Sequence, residues 1–210
     1  MTIAVLGTGS VGSALAKGFS DAGHEVVFGV RNPDDAKYAD LREQFDWSVE
    51  VRGMAEACAG ADAIVLAVPF AVVGEVVPAL GDLTGKVLLD VTNPLKSDFS
   101  GLSLPEGDSA GQRIQALAPS AKVVKIFNSV GSNVMSEPLF PDGAASMLLC
   151  GDDAAAKQVA AQLASDIGFD PVDVGPLSES RTLEEFCVLW LQLAVAGGLG
   201  RDIAFRLMRR

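Results

Sequence analysis

The sequence predicts an α/β fold: a doubly wound parallel sheet followed by a small C-terminal helical extension. Three observations carry this. Short apolar runs suited to buried strands alternate with stretches at helical spacing. The first run, Thr2 to Leu6, leads straight into Gly7-Thr8-Gly9-Ser10-Val11-Gly12. Beyond Ser178 the strand signals stop. Leu183, Phe186, Trp190 and Leu193, then Ile203 and Leu207, recur at steps of three and four.

Ile3, Val5 and Leu6 read as a strand buried on both faces. Gly7 permits a tight turn, Gly9 lets a pyrophosphate approach the backbone, and Gly12 lets the next helix pack on the strand. With Thr8, Ser10 and Val11 they form the cofactor-binding turn of a Rossmann-type unit. The diphosphate would rest on the positive end of the first helix. Ser13 to Asp21 is helical, and Gly23 suits a left-handed cap. Glu25 to Phe28 is the second strand. A carboxylate at its end would hold the ribose 2′-hydroxyl of NAD. This chain has Gly29-Val30-Arg31-Asn32-Pro33 instead. A guanidinium fork there suits a 2′-phosphate, so the expected cofactor is NADP(H).

The remaining elements follow in order. Residues 34–45 read as a helix, with Pro33 close to its start. Trp47 to Val51 reads as a strand, Gly53 to Ala59 as a short helix, and Ala63 to Val68 as an apolar strand ended by Pro69. Ala71 to Ala79 is a helix, and Lys86 to Val91 a strand followed by Thr92-Asn93-Pro94-Leu95. Lys96 to Asp108 is a polar surface loop, Ser109 to Leu117 a helix, and Val123 to Phe127 a strand ended by Asn128-Ser129. Met147 to Cys150 is one more strand. Asp152 to Ile167 is an amphipathic helix with Val159, Leu163 and Ile167 on one face. Pro171 to Val174 is a last short strand. Gly197, Gly198 and Gly200 should split the final helical stretch in two.

Ligands of such sheets bind beyond the carboxyl ends of the strands. Val68, Pro69, Asn93 and Asn128 therefore join the turn and Arg31 as cofactor-binding candidates. Phe70 and Ser129 are candidates for a second-substrate site. Residues 1–177 make the NADP-binding unit and 178–210 the extension. The extension packs on the sheet, shapes the acceptor site and pairs two subunits; these roles are compatible.

A net charge of −11 argues against nucleic acid. The stretch Cys187 to Gly200 contains Gln192 and is too short for an ordinary membrane span. With a core strand at residue 2, no leader segment is expected. Cys58, Cys150 and Cys187 lack paired spacing, which suggests a reducing cytoplasm without disulfides. His24 is the only histidine and reads as structural; no metal cluster or nucleophile–His system can be assembled around it.

Several segments together resemble the NADP oxidoreductase, coenzyme F420-dependent family. They are Gly7 to Gly12, Gly29-Val30-Arg31, Ala67-Val68-Pro69, Asn93-Pro94-Leu95, Cys150-Gly151-Asp152-Asp153 and Pro171 to Arg181. Val124 to Ser129 is also similar to the NADPH-binding domain of the STEAP metalloreductases. The resemblance covers essentially the whole chain. It implies hydride transfer between NADPH and a deazaflavin or flavin: F420, FMN or FAD. It places Thr8, Ser10, Val11 and Arg31 on the NADP phosphates and Val68 and Pro69 near the nicotinamide. Asn128 and Ser129 would face the second ring system. Val30 stands where the F420 enzymes commonly carry a serine, and the turn lacks their additional glycine.

Hydride transfer between two planar rings needs positioning more than acid–base chemistry, so no catalytic side chain is expected. Two other readings remain. One is a reductase of a small C=N or C=O substrate, which needs a proton donor; Tyr38, Lys96 and Lys125 are weak candidates. The other is a non-enzymatic NADP(H) sensor.

Overall fold

Alternating side chains of the first strand set the two layers of the fold. The computed structural model describes residues 1–38, 41, 45 and 50–210. In β1 (Thr2–Leu6), Ile3 and Val5 enter one apolar cluster with Leu15, Phe19 and Leu163. Ala4 and Leu6 enter the other, with Ala57, Val76 and Ile114. Both faces are covered, which is why the strand is apolar throughout.

Around β1 lie β2 (Glu25–Val30), β3 (Glu50–Gly53), β4 (Ala63–Leu66), β5 (Val87–Asp90) and β6 (Lys122–Lys125). They pair in parallel in the order β3-β2-β1-β4-β5-β6. That order reverses direction at β1, which opens a crevice at the carboxyl ends of β1 and β4. The helix expected over 34–45 and the start of the strand expected at Trp47 lie largely outside the described residues.

The sheet is not parallel throughout. β9 (Ser146–Gly151) runs antiparallel to β6, with Cys150 opposite Lys125, and β10 (Asp170–Asp173) runs parallel to β9. Between β6 and β9 the chain forms only α5 (Ser132–Ser136) and a hairpin, β7 (Leu139–Phe140) with β8 (Gly143–Ala144). No helix crosses the sheet there, so the chain doubles back instead of returning in parallel.

Helix α1 (Ser10–Asp21) starts directly after Gly9, and Gly23 ends it at φ +86°. The helices α2 (Met54–Gly60) and α4 (Ala110–Leu117) match expectation, the latter capped by Ser109. The helix expected over Ala71 to Ala79 is instead three pieces. A 3-10 turn (Phe70–Val72), one α turn α3 (Val73–Val76) and another 3-10 turn (Val77–Ala79) follow one another. Pro78 offers no backbone N–H to continue the ladder. In α6 (Ala154–Asp166) the buried stripe is Ala156, Ala160, Leu163 and Ala164, with Val159 and Ile167 at its margin.

A 3-10 turn (Leu177–Glu179), α7 (Ser180–Leu191) and a π-helical turn (Gln192–Ala196) complete the helical part. The second helical piece expected near Ile203 and Leu207 does not form. Gly198 and Gly200, at φ +70° and +77°, turn the chain back as a strap. Its backbone finds partners elsewhere: Trp190 Nε1 donates to the Ile203 carbonyl at 2.9 Å, and the Ser146 amide to the Phe205 carbonyl at 2.9 Å. Phe205 packs on Phe186, ring centroids 4.5 Å apart.

Candidate functional site

Three glycines of the opening turn answer to different demands. Gly7 sits at φ +114°, and a Cβ there would lie 2.2 Å from the Ala67 carbonyl oxygen. A Cβ on Gly12 would lie 2.0 Å from the Gly7 carbonyl oxygen. Both are required by close backbone packing. A Cβ on Gly9 meets no protein atom within 4 Å, so nothing in the fold itself calls for glycine there. Gly9 also begins α1 without a side-chain cap. No side chain occupies the first-turn amides of the helix, so an anion can use them. A dinucleotide diphosphate fits this cradle.

The turn opens into a cleft of about 250 Å³. Gly7, Thr8, Arg31, Val68 and Pro69 line it, so five sequence candidates converge. Met54, Val72 and Val76 supply apolar wall that residue type and strand-end position do not point to, and Tyr38, a proton-donor candidate of the alternative reductase reading, joins them. Arg31 stands at the rim with its side chain 64% exposed, and its Nη2 lies 3.7 Å from Glu75 Oε2. Ser10 lies in a shallower hollow along α1, and Val11 packs toward the core.

Other candidates are placed differently. Phe70 lines a separate hollow of about 440 Å³ with Arg113 and Leu117. Asn128 and Ser129 are buried. Asn93 Nδ2 donates to the Asn128 carbonyl at 2.8 Å, and Asn128 Nδ2 donates to Asn93 Oδ1 and the Leu183 carbonyl, both at 2.9 Å. The strand ends of β5 and β6 are thereby tied to each other and to α7. Just before Asn128, Phe127 adopts φ +59°, a conformation rare for a bulky residue. Its ring is held between Phe19 and Phe169, with centroids 6.1 Å away on either side.

Sequence reasoning missed a fully buried charge cluster at the same edge. Lys125 Nζ donates to Asp90 Oδ2 at 2.7 Å and the Thr92 carbonyl at 2.8 Å, and pairs with Glu184 Oε1 at 3.1 Å. All three charged side chains have zero exposure. Asp90 Oδ1 accepts from the Thr92 amide and hydroxyl. Glu184 Oε1 accepts from the Ala110 amide at the start of α4, while its Oε2 has no hydrogen-bond partner among the described residues. Burial opposes the Lys125 charge, but the two carboxylates outweigh it and hold the ammonium above its usual value. Burial raises the Glu184 carboxyl above the ordinary glutamate range, against the pull of Lys125. As a proton donor Lys125 is excluded by this setting: every N–H is committed and no solvent reaches it. The signal was present as charged residues inside apolar runs, Val124-Lys125-Ile126 and Leu89-Asp90-Val91.

Burial also pushes the Cys58 and Cys187 thiols up to about 12 and Cys150 to about 11. His24 Nε2 lies 3.0 Å from Asp166. Among the described residues, no three His, Cys, Asp or Glu side chains are grouped to hold a metal, and no helix is long and apolar enough to cross a membrane.

Residues 2–94 match the family model described as NADP oxidoreductase, coenzyme F420-dependent. The F420-dependent NADP reductase of Methanothermobacter thermautotrophicus is 32% identical over 212 residues, covering 93% of this chain and 90% of that protein. The chain belongs to this family. This member of the NADP oxidoreductases also superposes on a crystal structure from Arthrobacter sp. FB24, a candidate F420-dependent NADP reductase. The TM-score is 0.88 at 33% identity, with 99% of both chains covered. The rat metalloreductase STEAP3 is 31% identical over 183 residues, which is 87% of this chain but 35% of STEAP3. The oxidoreductase thus spans about a third of that relative. A reductive aminase from Aspergillus terreus shares the fold, with a TM-score of 0.66 at 19% identity. The protein is an NADP-dependent oxidoreductase, and its dinucleotide is NADP(H).

Proposed function

We propose that this oxidoreductase transfers a hydride between NADP(H) and coenzyme F420 or a flavin. The observation that carries the reading is the cleft that joins the turn residues Gly7 and Thr8 to Arg31, with the open Gly9 position beside it. The names of the Methanothermobacter and Arthrobacter relatives support F420 as the partner. In this reading the first-turn amides of α1, with Thr8, Ser10 and Val11, hold the diphosphate. Arg31 grips the 2′-phosphate, and Val68 and Pro69 line the way to the nicotinamide. Asn93 and Asn128, fixed by one another and by Leu183, shape the nicotinamide end. Phe70, in its separate hollow, and Ser129, buried beside Asn128, remain acceptor-site candidates, with the segment 178–210 as the element that would close that side.

A nicotinamide bound there would supply hydride chemistry at its C4, exchanged with the acceptor ring, with any accompanying proton exchanged with solvent. The chain's part is to align two rings and exclude water. Exposed Leu189, Val195 and Leu199 on the C-terminal segment support pairing of two copies there. Three unpaired thiols support a reducing cytoplasm.

Stopped-flow oxidation of NADPH in the presence of F420, FMN, FAD or a ferric chelate tests this. Rapid turnover with F420 or a flavin is expected. Binding of NADPH without turnover of any acceptor would overturn it in favour of a sensor, and turnover of imines or ketones alone in favour of the other reductase class. Arg31→Ala should weaken NADPH by about tenfold or more, the worth of a charge-assisted hydrogen bond, and leave NADH unchanged. Unchanged NADPH affinity in equilibrium titration would remove Arg31 from the site.

A further inference from the structure

We propose that Glu75 is a specificity-determining residue, a built-in counter-ion that Arg31 must give up when a 2′-phosphate binds. The proposal rests on the assignment of Arg31 above. Among the described residues Arg31 donates no hydrogen bond, and its ion pair is with Glu75. At 3.7 Å the contact is electrostatic and too long for a good hydrogen bond. The guanidinium fork is therefore free to take an oxyanion.

Glu75 is exposed, but its backbone is pinned. It lies in α3 between buried Val73 and Val76, and Val76 and Val72 line the same cleft as Arg31. Its carboxylate therefore stays within side-chain reach of the rim and of Arg31. A phosphate on the Arg31 fork would sit within a few ångströms of it, and two like charges would then share one cation. NADP(H) meets both effects: a broken ion pair and a like-charge neighbour. NAD(H) meets neither, and its 2′-hydroxyl can donate to the carboxylate. Glu75 thus narrows the preference for NADP(H) that Arg31 creates. Because both side chains are in water, the effect is modest.

The experiment is equilibrium titration of NADPH and NADH with the wild type, Glu75→Gln, Arg31→Ala and the double variant, at low and high salt. Glu75→Gln should tighten NADPH roughly two- to fivefold, the range of an exposed pair, and leave NADH unchanged or weaker. The gain should shrink with salt, and shrink again in the Arg31→Ala background, where the broken ion pair no longer contributes and only like-charge repulsion remains. If Arg31→Ala weakens NADPH but Glu75→Gln does not tighten it, the Glu75 proposal fails while the Arg31 assignment stands. An equal gain without Arg31 also overturns it. If Arg31→Ala leaves NADPH binding intact, the Arg31 assignment itself falls, and this proposal with it.

Discussion

Lys125→Met is expected to destabilise the protein by about 3–5 kcal/mol, the cost of removing one partner from a buried charge cluster. Met fills much of the lysine's volume, so the loss comes from charge and not from a void. Asp90 and Glu184 would be left facing each other without solvent, Asp90 keeping its bonds from Thr92 and Glu184 those from the start of α4. In calorimetry this corresponds to a fall in Tm of roughly 6–20 °C for a domain of this size. Adding Asp90→Asn and Glu184→Gln should return part of the loss, because the uncompensated charges are then gone. The deficit should also narrow in acid. Burial holds Glu184 above the ordinary glutamate range, so the folded state keeps a proton that the unfolded chain releases. Its stabilising share is complete below that ordinary range and fades as pH rises through the raised value. Without the ammonium the carboxyl rises further, and low pH relieves the variant most. A Lys125→Met protein within about 1 kcal/mol of the wild type, the worth of an exposed pair, would contradict the arrangement.

The opening turn yields the second large effect, and it separates two glycines. Gly12→Ala drives a methyl to 2.0 Å from the Gly7 carbonyl oxygen, so helix and turn must part. We expect a loss of about 1–3 kcal/mol in stability from overpacking. Displacement of the cradle should weaken NADPH on the order of a hundredfold. Gly9→Ala places its methyl in open space, so Tm should hold while NADPH binding falls. Urea unfolding and NADPH titration on both variants decide the matter. A Gly9→Ala protein that binds NADPH as the wild type does would mean that the diphosphate lies elsewhere.

Much of the sheet was legible because strands buried on both faces must be apolar along their length. Ile3 to Leu6 and Ile64 to Leu66 announce themselves. Direction left no such mark. Ser146 to Gly151 reads as the same kind of strand whichever way it runs, and its reversal follows from the short α5 and hairpin before it. Those elements are too brief to show a period. Ile203 and Leu207 carry helical spacing, yet the glycines before them and hydrogen bonds to Trp190 and Ser146 draw that segment out straight. At the site, residue type and strand-end position identified the turn, Arg31, Val68 and Pro69 as neighbours. They did not reveal that Asn128 faces inward, or that the apolar wall comes from Tyr38, Met54 and Val76. Those outcomes depend on how distant helices dock.

The three cysteines lie in different elements, Cys58 in α2, Cys150 in the reversed strand and Cys187 in α7, the last two both near the Lys125–Glu184 cluster. Each is buried and kept as a neutral thiol at neutral pH, out of reach of alkylating agents and oxidants. In a protein that handles reducing equivalents, none of them can be spent by side reactions while its own surroundings stay closed. The sulfurs therefore act as three internal clocks. Lifting of the C-terminal helix would uncover Cys187 and Cys150 together, while Cys58, in the apolar layer with Ala4 and Leu6, reports the opening of the sheet.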